Sequence, residues 1–238
     1  MSNIHVSNHP CVKAKLSQLR SATAGPRETK ALIHEISTLL AAEALAASLS
    51  VAPAGQDTTP LGAEYAVEKV AEKVVLVPIL RSGLGMIDGT SPSNFPFVLL
   101  ANTHLPAFND LLPTPAAIHH LGLFRERATL SPVEYYNNLP TSSAAAGPPA
   151  DLAIILDPVV ATGGTAIAAI QTLRDWGVRR IILCSVLGAK KGVDHAAGEW
   201  PEGVQVYLGG LDPGTNEQGM ILPGLGDIGD RLFLTIGK

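Results

Sequence analysis

Residues 155–170 read ILDPVVATGGTAIAAI, and the order of residue types in this stretch decides the fold class. An unalternating apolar run reaches Leu156, an acid follows at Asp157, and the short turn Ala161–Thr165 then leads into a helix-forming stretch. Continuous apolar runs suit strands covered on both faces, as in a parallel sheet. Asp157 would then stand at the carboxyl end of a strand, where open α/β sheets bind their ligands. Gly163 and Gly164 let the backbone approach a ligand closely and adopt positive φ. Thr162 and Thr165 add hydroxyls beside the free N–H groups of the first helical turn, which together make a seat for an anion. The same residues also suit a tight, purely structural turn with Thr165 as helix cap. The acid five residues ahead of Thr162, at a strand end, favours the phosphate reading. In this stretch no Gly-Lys-Ser/Thr follows the glycines and they are not spaced G-x-G-x-x-G, so this is not a P-loop or a dinucleotide fingerprint.

Working outward, VVLVPIL at 74–80 and IILCSVL at 181–187 resemble the run at 153–156 and are expected to be further buried strands. VQVYL at 204–208 and RLFLTI at 231–236 are weaker strand candidates. A helix over 166–176, ended by Gly177, lies between two of the strong runs and completes a βαβ unit. Upstream, Val12, Leu16 and Leu19 recur at helical spacing behind Pro10. A longer helix fits 28–49, with Leu32, Ile33, Ile36, Leu39, Leu40 and Leu45 on one side. Residues 52–62 (APAGQDTTPLG) break the pattern. Residues 90–117 carry five prolines and FVLL at 97–100 as their only strand-like run, while 141–150 (TSSAAAGPPA) reads as a loop tip. No repeat or heptad divides the chain, which reads as one domain over 1–238. The fold class is α/β, with a central, mainly parallel sheet flanked by helices.

Composition narrows the function. The 238 residues include 17 basic and 21 acidic side chains, for a net charge of −4. Such a chain is a poor general binder of nucleic acid. With 46% hydrophobic and only 16% charged residues it is not disordered, and some apolar surface is available for burial between subunits. Cys11 and Cys184 are too few for a disulfide framework or a cysteine-based zinc site. The first twenty residues lack the apolar core of a secretory signal, and the most apolar stretches, Val74–Leu80 and Leu152–Leu156, are too short to span a bilayer. A cytoplasmic protein is expected.

DPVVATGGT at 157–165 resembles the phosphoribosyl-diphosphate (PRPP) loop of type I phosphoribosyltransferases, and its Asp-Pro form is similar to that of the uracil phosphoribosyltransferase family. Three more stretches agree in order. VPILRSGLGMIDG at 77–89 resembles the family's arginine-bearing strand and turn. HHLGLFRERATLSPVEYYNNLP at 119–140 resembles its second arginine segment and mobile hood, here about 120–149. MILPGLGDIGDRLF at 220–233 resembles its base-recognition segment, here 220–238. HPCVKAKLSQLR at 9–20 matches the family's opening helix, within an N-terminal helical region over 1–50.

The resemblance implies transfer of the phosphoribosyl group of PRPP to uracil, giving UMP and pyrophosphate through an oxocarbenium-like transition state. It implies that Pro158, Val159, Val160 and Ala161 to Thr165, with Thr162, Gly163 and Gly164 among them, line the PRPP site and that 161–165 cradles the 5′-phosphate. Asp157 would accept the ribose hydroxyls and stabilise the cationic sugar. Arg81 and Arg125 would bind pyrophosphate, for which a guanidinium fork is well suited. Ile221, Gly226, Asp227 and Ile228 would read uracil, Asp227 also lying near PRPP through magnesium-bound water. Mg2+ is the implied cofactor, held by PRPP and water. A homodimer or higher homo-oligomer is implied, and a GTP effector is left open. Asp230 is expected to pair with Arg231, and His119 and His120 to include at least one structural residue. Three departures stand out: Met220 for a tyrosine, Ser131 for a glutamate, and the long 90–117 connection. A non-catalytic homologue that binds PRPP or uracil, or an enzyme for another base, are the alternatives; the retained acids and arginines argue against the first and the PGLGD stretch against the second.

Overall fold

The computed structural model describes residues 3–87, 108–126, 132–141 and 147–235, with the Arg125 side chain excluded. The readings at 97–100 and at Ser131 lie outside these residues.

Three of the long apolar runs form the centre of one sheet. They are β4 (Val74–Leu80), β8 (Leu152–Leu156) and β10 (Arg180–Ala189). Around them lie β1 (Ile4–Val6), β5 (Ala117–Ile118), β6 (Leu121–Arg125), β7 (Pro132–Asn137), β9 (Val159–Val160) and β11 (Val204–Asp212). The strand order is β1-β11-β10-β8-β4-β6-β7, with β5 beside β4 and β9 beside β10. Every pairing in it is parallel except β6 with β7.

The apolar runs do not alternate because both faces of the sheet are covered. On β8, Leu152, Ile154 and Leu156 join one core, which also holds residues of α1 (Pro10–Leu19) and α2 (Pro26–Ser48). Ala153 and Ile155 join the other, beneath α3 (Gly164–Trp176) and α4 (Lys190–Glu199). Period-two side-chain direction sends successive residues to opposite layers. α2 is long and apolar enough to cross a bilayer, but its Leu32, Ile33, Ile36 and Leu40 are buried in the first core.

Two expectations are corrected. Residues 52–62 are not a simple break. They belong to a hairpin of β2 (Val51–Thr58) and β3 (Glu64–Val70), separate from the main sheet and largely exposed, with a register shift between Pro53 and Gln56. Of the run at 231–236, the described residues form no strand: its first residues close a short helix, α5 (Ile228–Phe233), whose N-cap Asp227 accepts from the Asp230 amide at 3.1 Å. A short apolar run fits either state, and here the capping acid selects the helix.

Candidate active site

α3 starts where the sequence places the anion seat. Gly163 is its N-cap with φ +87°, a left-handed conformation that side chains rarely adopt. A Cβ here would run into the Gly192 carbonyl, and a Cβ on Gly192 would run into the Ala161 carbonyl. The turn and the start of α4 thus touch backbone to backbone. No acid lies in the first turn of α3, so its positive end is not neutralised from within the helix.

A cavity of about 360 Å³ opens at this end of the sheet. Ala161, Thr162, Gly163 and Thr165 line it, with Asp157, Val159 and Val160 before them. Arg81, at the end of β4, lies on the wall, as do Ile221, Gly226, Asp227 and Ile228 from the C-terminal segment. Pro158 and Gly164 do not line it: the Pro158 carbonyl accepts from the Val186 and Leu187 amides, each at 3.0 Å, and Gly164 opens α3. Arg125 ends β6, whose Leu123 and Phe124 reach the cavity.

Asp157 is buried, and burial raises its carboxyl pKa to about 7, against smaller opposing contributions from the Val159 amide and the Ser82 hydroxyl. Ser82 Oγ donates to Asp157 Oδ1 at 3.4 Å. Desolvation penalises the charged form, so this acid is poised to ionise when cationic charge arrives beside it. Arg81 is exposed, and its guanidinium lies 5.4 Å from the centre of the Phe233 ring. The Leu80–Arg81 peptide is cis.

The C-terminal wall is a loop with a two-residue strand, β13 (Ile221–Leu222), paired with β12 (Gly214–Thr215). Gly224 and Gly226 have φ of +67° and +79°. Asp227, on the cavity wall, is also the cap of α5. The expected Asp230–Arg231 pair is not formed. Arg231 donates instead to the Leu19 and Leu225 carbonyls, both at 2.7 Å, and Asp230 accepts from Thr235 Oγ1 at 2.6 Å. A loop that folds back on itself leaves carbonyls needing donors, and a guanidinium supplies several at once.

His119 is outside the cavity, edge-on to Trp176 with ring centres 5.5 Å apart. Burial, and then the neighbouring His120, lower its pKa. Cys184 is buried, which pushes its thiol pKa up, in keeping with an inert thiol. Sequence reasoning did not single out Ser82, Gly192, Leu225 or Tyr135. Only Tyr135 carried a usable signal, as part of the aromatic pair after the second arginine segment.

Among the described residues no three His, Cys, Asp or Glu side chains cluster to hold a metal. The carboxylates on the described cavity wall are Asp157 and Asp227. That donor set suits a hard cation brought in on a phosphate ligand and still largely hydrated, rather than one caged by protein.

Comparison with known proteins agrees with the geometry. The sequence model of the family described as Uracil phosphoribosyltransferase matches residues 6–235. A uracil phosphoribosyltransferase of Roseiflexus sp. (strain RS-1) is 42% identical over 235 residues, covering 99% of this chain and all of the relative. One from Halalkalibacterium halodurans is 37% identical over 236 residues, with 99% and 100% covered. Among solved structures, the AQ2163 protein from Aquifex aeolicus superposes with a TM-score of 0.79 at 27% identity, over 98% of both chains.

Proposed function

The chain belongs to the uracil phosphoribosyltransferase family and has its type I phosphoribosyltransferase fold, and from that premise we propose that it joins uracil to the ribose of PRPP, releasing UMP and pyrophosphate. One observation carries this reading: a single cavity is lined by an anion seat, a buried acid, an arginine and a backbone-rich loop. Those are the four surfaces that a sugar phosphate, a ribose, a pyrophosphate and a base require.

In this reading the amides and hydroxyls of 161–165 hold the 5′-phosphate at the positive end of α3. Asp157 accepts the ribose hydroxyls and, once ionised, favours the cationic sugar by electrostatics rather than covalent attack. Ser82 steadies that carboxyl. Arg81 binds the departing pyrophosphate, and Arg125 is the second arginine for it. Backbone groups of Ile221 and Gly226 to Ile228 pair with the edge of uracil and discriminate against bases with another donor pattern. The glycosidic bond forms from uracil N1 as the C1–pyrophosphate bond breaks; the bonding electron pair leaves on pyrophosphate, whose oxygens take up the N1 proton. Asp157 and Asp227 are the carboxylates that would hold Mg2+ through water, and when bound it would balance phosphate charge. Closure of the hood, about 120–149, excludes water. A cytoplasmic location and a homodimer or larger assembly belong to the same reading.

The test is UMP formation from labelled uracil and PRPP, with and without Mg2+, with cytosine, hypoxanthine and orotate run in parallel. Uracil is expected to be the preferred acceptor and Mg2+ to be required. Preference for another base would overturn the base assignment. Binding of PRPP and uracil without turnover would overturn the enzyme.

A further inference from the structure

The loop after β13 is held by two arginines that never reach the cavity wall. Asp212, buried at the end of β11, accepts from Arg20 Nη2 on Oδ1 at 2.6 Å and from Arg20 Nη1 on Oδ2 at 2.8 Å. The Gly224 amide donates to the same Oδ2 at 2.9 Å, and Arg20 Nη1 donates to the Gly224 carbonyl at 2.7 Å. Both backbone groups of Gly224 are thus tied into one closed ring with an ion pair. The next residue is held independently: Arg231 Nη1 joins the Leu225 carbonyl to that of Leu19, and Arg231 Nη2 reaches the Ser21 carbonyl at 3.1 Å and Thr29 Oγ1 at 3.3 Å. Arg20 is the C-cap of α1, and Leu19 is its last residue. Both ties therefore anchor consecutive loop residues to the same end of α1, whose Val12, Leu16 and Leu19 are buried in the core.

Leu225 itself lines the cavity, and the lining continues beyond it. Gly226, Asp227 and Ile228 face the cavity, and Ile221 faces it from the other side of the clamped pair. Gly224 has φ +67°, and a Cβ there would meet the Ile221 carbonyl, so the two arms of the loop lie against each other at the clamp. A binding surface made of backbone has no side-chain rotamers with which to adapt. Its selectivity depends on fixing the main chain to a fraction of an ångström.

We infer that Arg20, Asp212 and Arg231 are positioning residues for base recognition: they set the backbone of 221 and 226–228 against the base and have no part in holding PRPP. This deepens the proposed function and rests on it. The bidentate geometry requires a planar fork, so lysine is not an equivalent replacement for Arg20. Asp212→Asn keeps the volume of the side chain but replaces one acceptor oxygen with a donor, which faces either the Gly224 amide or the Arg20 fork.

The experiment measures steady-state KM for uracil and for PRPP, and the uracil-to-cytosine ratio of kcat/KM, in Arg20→Lys, Asp212→Asn and Arg231→Lys, with thermal melts of each. The expected result is a rise of about tenfold in the uracil KM, about 1.4 kcal/mol. The PRPP KM should stay within about twofold and the uracil-to-cytosine ratio should fall. Arg20→Lys combined with Arg231→Lys should depart from additivity, because the two act on adjacent residues. A merely structural pair of anchors would lower the melting temperature and move both KM values together, and that result would overturn the inference, as would an unchanged uracil KM. If the wild-type chain forms no UMP, the proposed function fails and the inference falls with it; if it forms UMP and the variants keep the wild-type split, the inference alone fails.

Discussion

The two ends of the cavity are built by opposite means. At the 161–165 turn the backbone is held by steric closeness: Gly163 lies against Gly192 with no room for a Cβ on either. At the 221–228 loop it is held by polar bonds, from a partly buried ion pair and a second arginine acting on Gly224 and Leu225. An anion seat needs bare N–H groups pointing at one place, and glycine contact supplies that while leaving those groups free. A loop that reads a base must present donors and acceptors in a fixed order, and its surplus backbone groups must be satisfied elsewhere. The difference makes the two ends fail differently.

The largest effect is expected from Gly163→Val. The branched side chain meets the Gly192 backbone and the wrong φ together, and PRPP affinity should fall on the order of 100-fold or more. Isothermal titration with PRPP measures this, and near-normal affinity would show that the seat does not depend on steric closeness. Next comes Asp157→Asn. Turnover should drop by about 10²–10³-fold while PRPP binding changes much less, because the charge matters most in the transition state. Equal losses in kcat and PRPP affinity would reduce Asp157 to a ground-state ligand. Arg81→Ala should weaken PRPP and pyrophosphate together by about 10–100-fold, the loss expected for charged hydrogen bonds. An effect on uracil alone would move Arg81 to the other end of the cavity.

The smallest effect is on stability. A carboxyl whose folded pKa is raised to about 7 stabilises the fold fully below its unfolded value, roughly 3.9, and that contribution is lost as pH rises through about 7. Without ligands, the melting temperature of Asp157→Asn should therefore gain on wild type by about ten degrees between about pH 4 and pH 7 and run parallel to it above. A gap that does not change with pH would mean that burial does not hold the acid neutral.

Legibility in the sequence divides along the same line. The seat was readable because its parts are contiguous: a buried run, an acid, small residues and a helix within residues 155–170. Its outer support, Gly192, was not, because α4 (KKGVDHAAGE) carries two glycines and few large apolar residues. The C-terminal stretch on the cavity wall was legible through resemblance, but its anchors were not: Arg20 and Asp212 lie 192 positions apart, and nothing local marks either. The Arg231–Asp230 expectation failed because adjacency in sequence suggested a pair where the fold offers Arg231 better acceptors in the Leu19 and Leu225 carbonyls. The β2–β3 hairpin escaped because Pro53 and Gly55 imitate a loop, and a hairpin exposed on both faces shows no alternation to read.

The most direct measurement is a crystal structure of the chain with PRPP and Mg2+. The account predicts the 5′-phosphate oxygens within hydrogen-bond distance of the backbone amides of 161–165, with the ribose hydroxyls on Asp157. A phosphate bound elsewhere while those amides turn toward protein acceptors would contradict it.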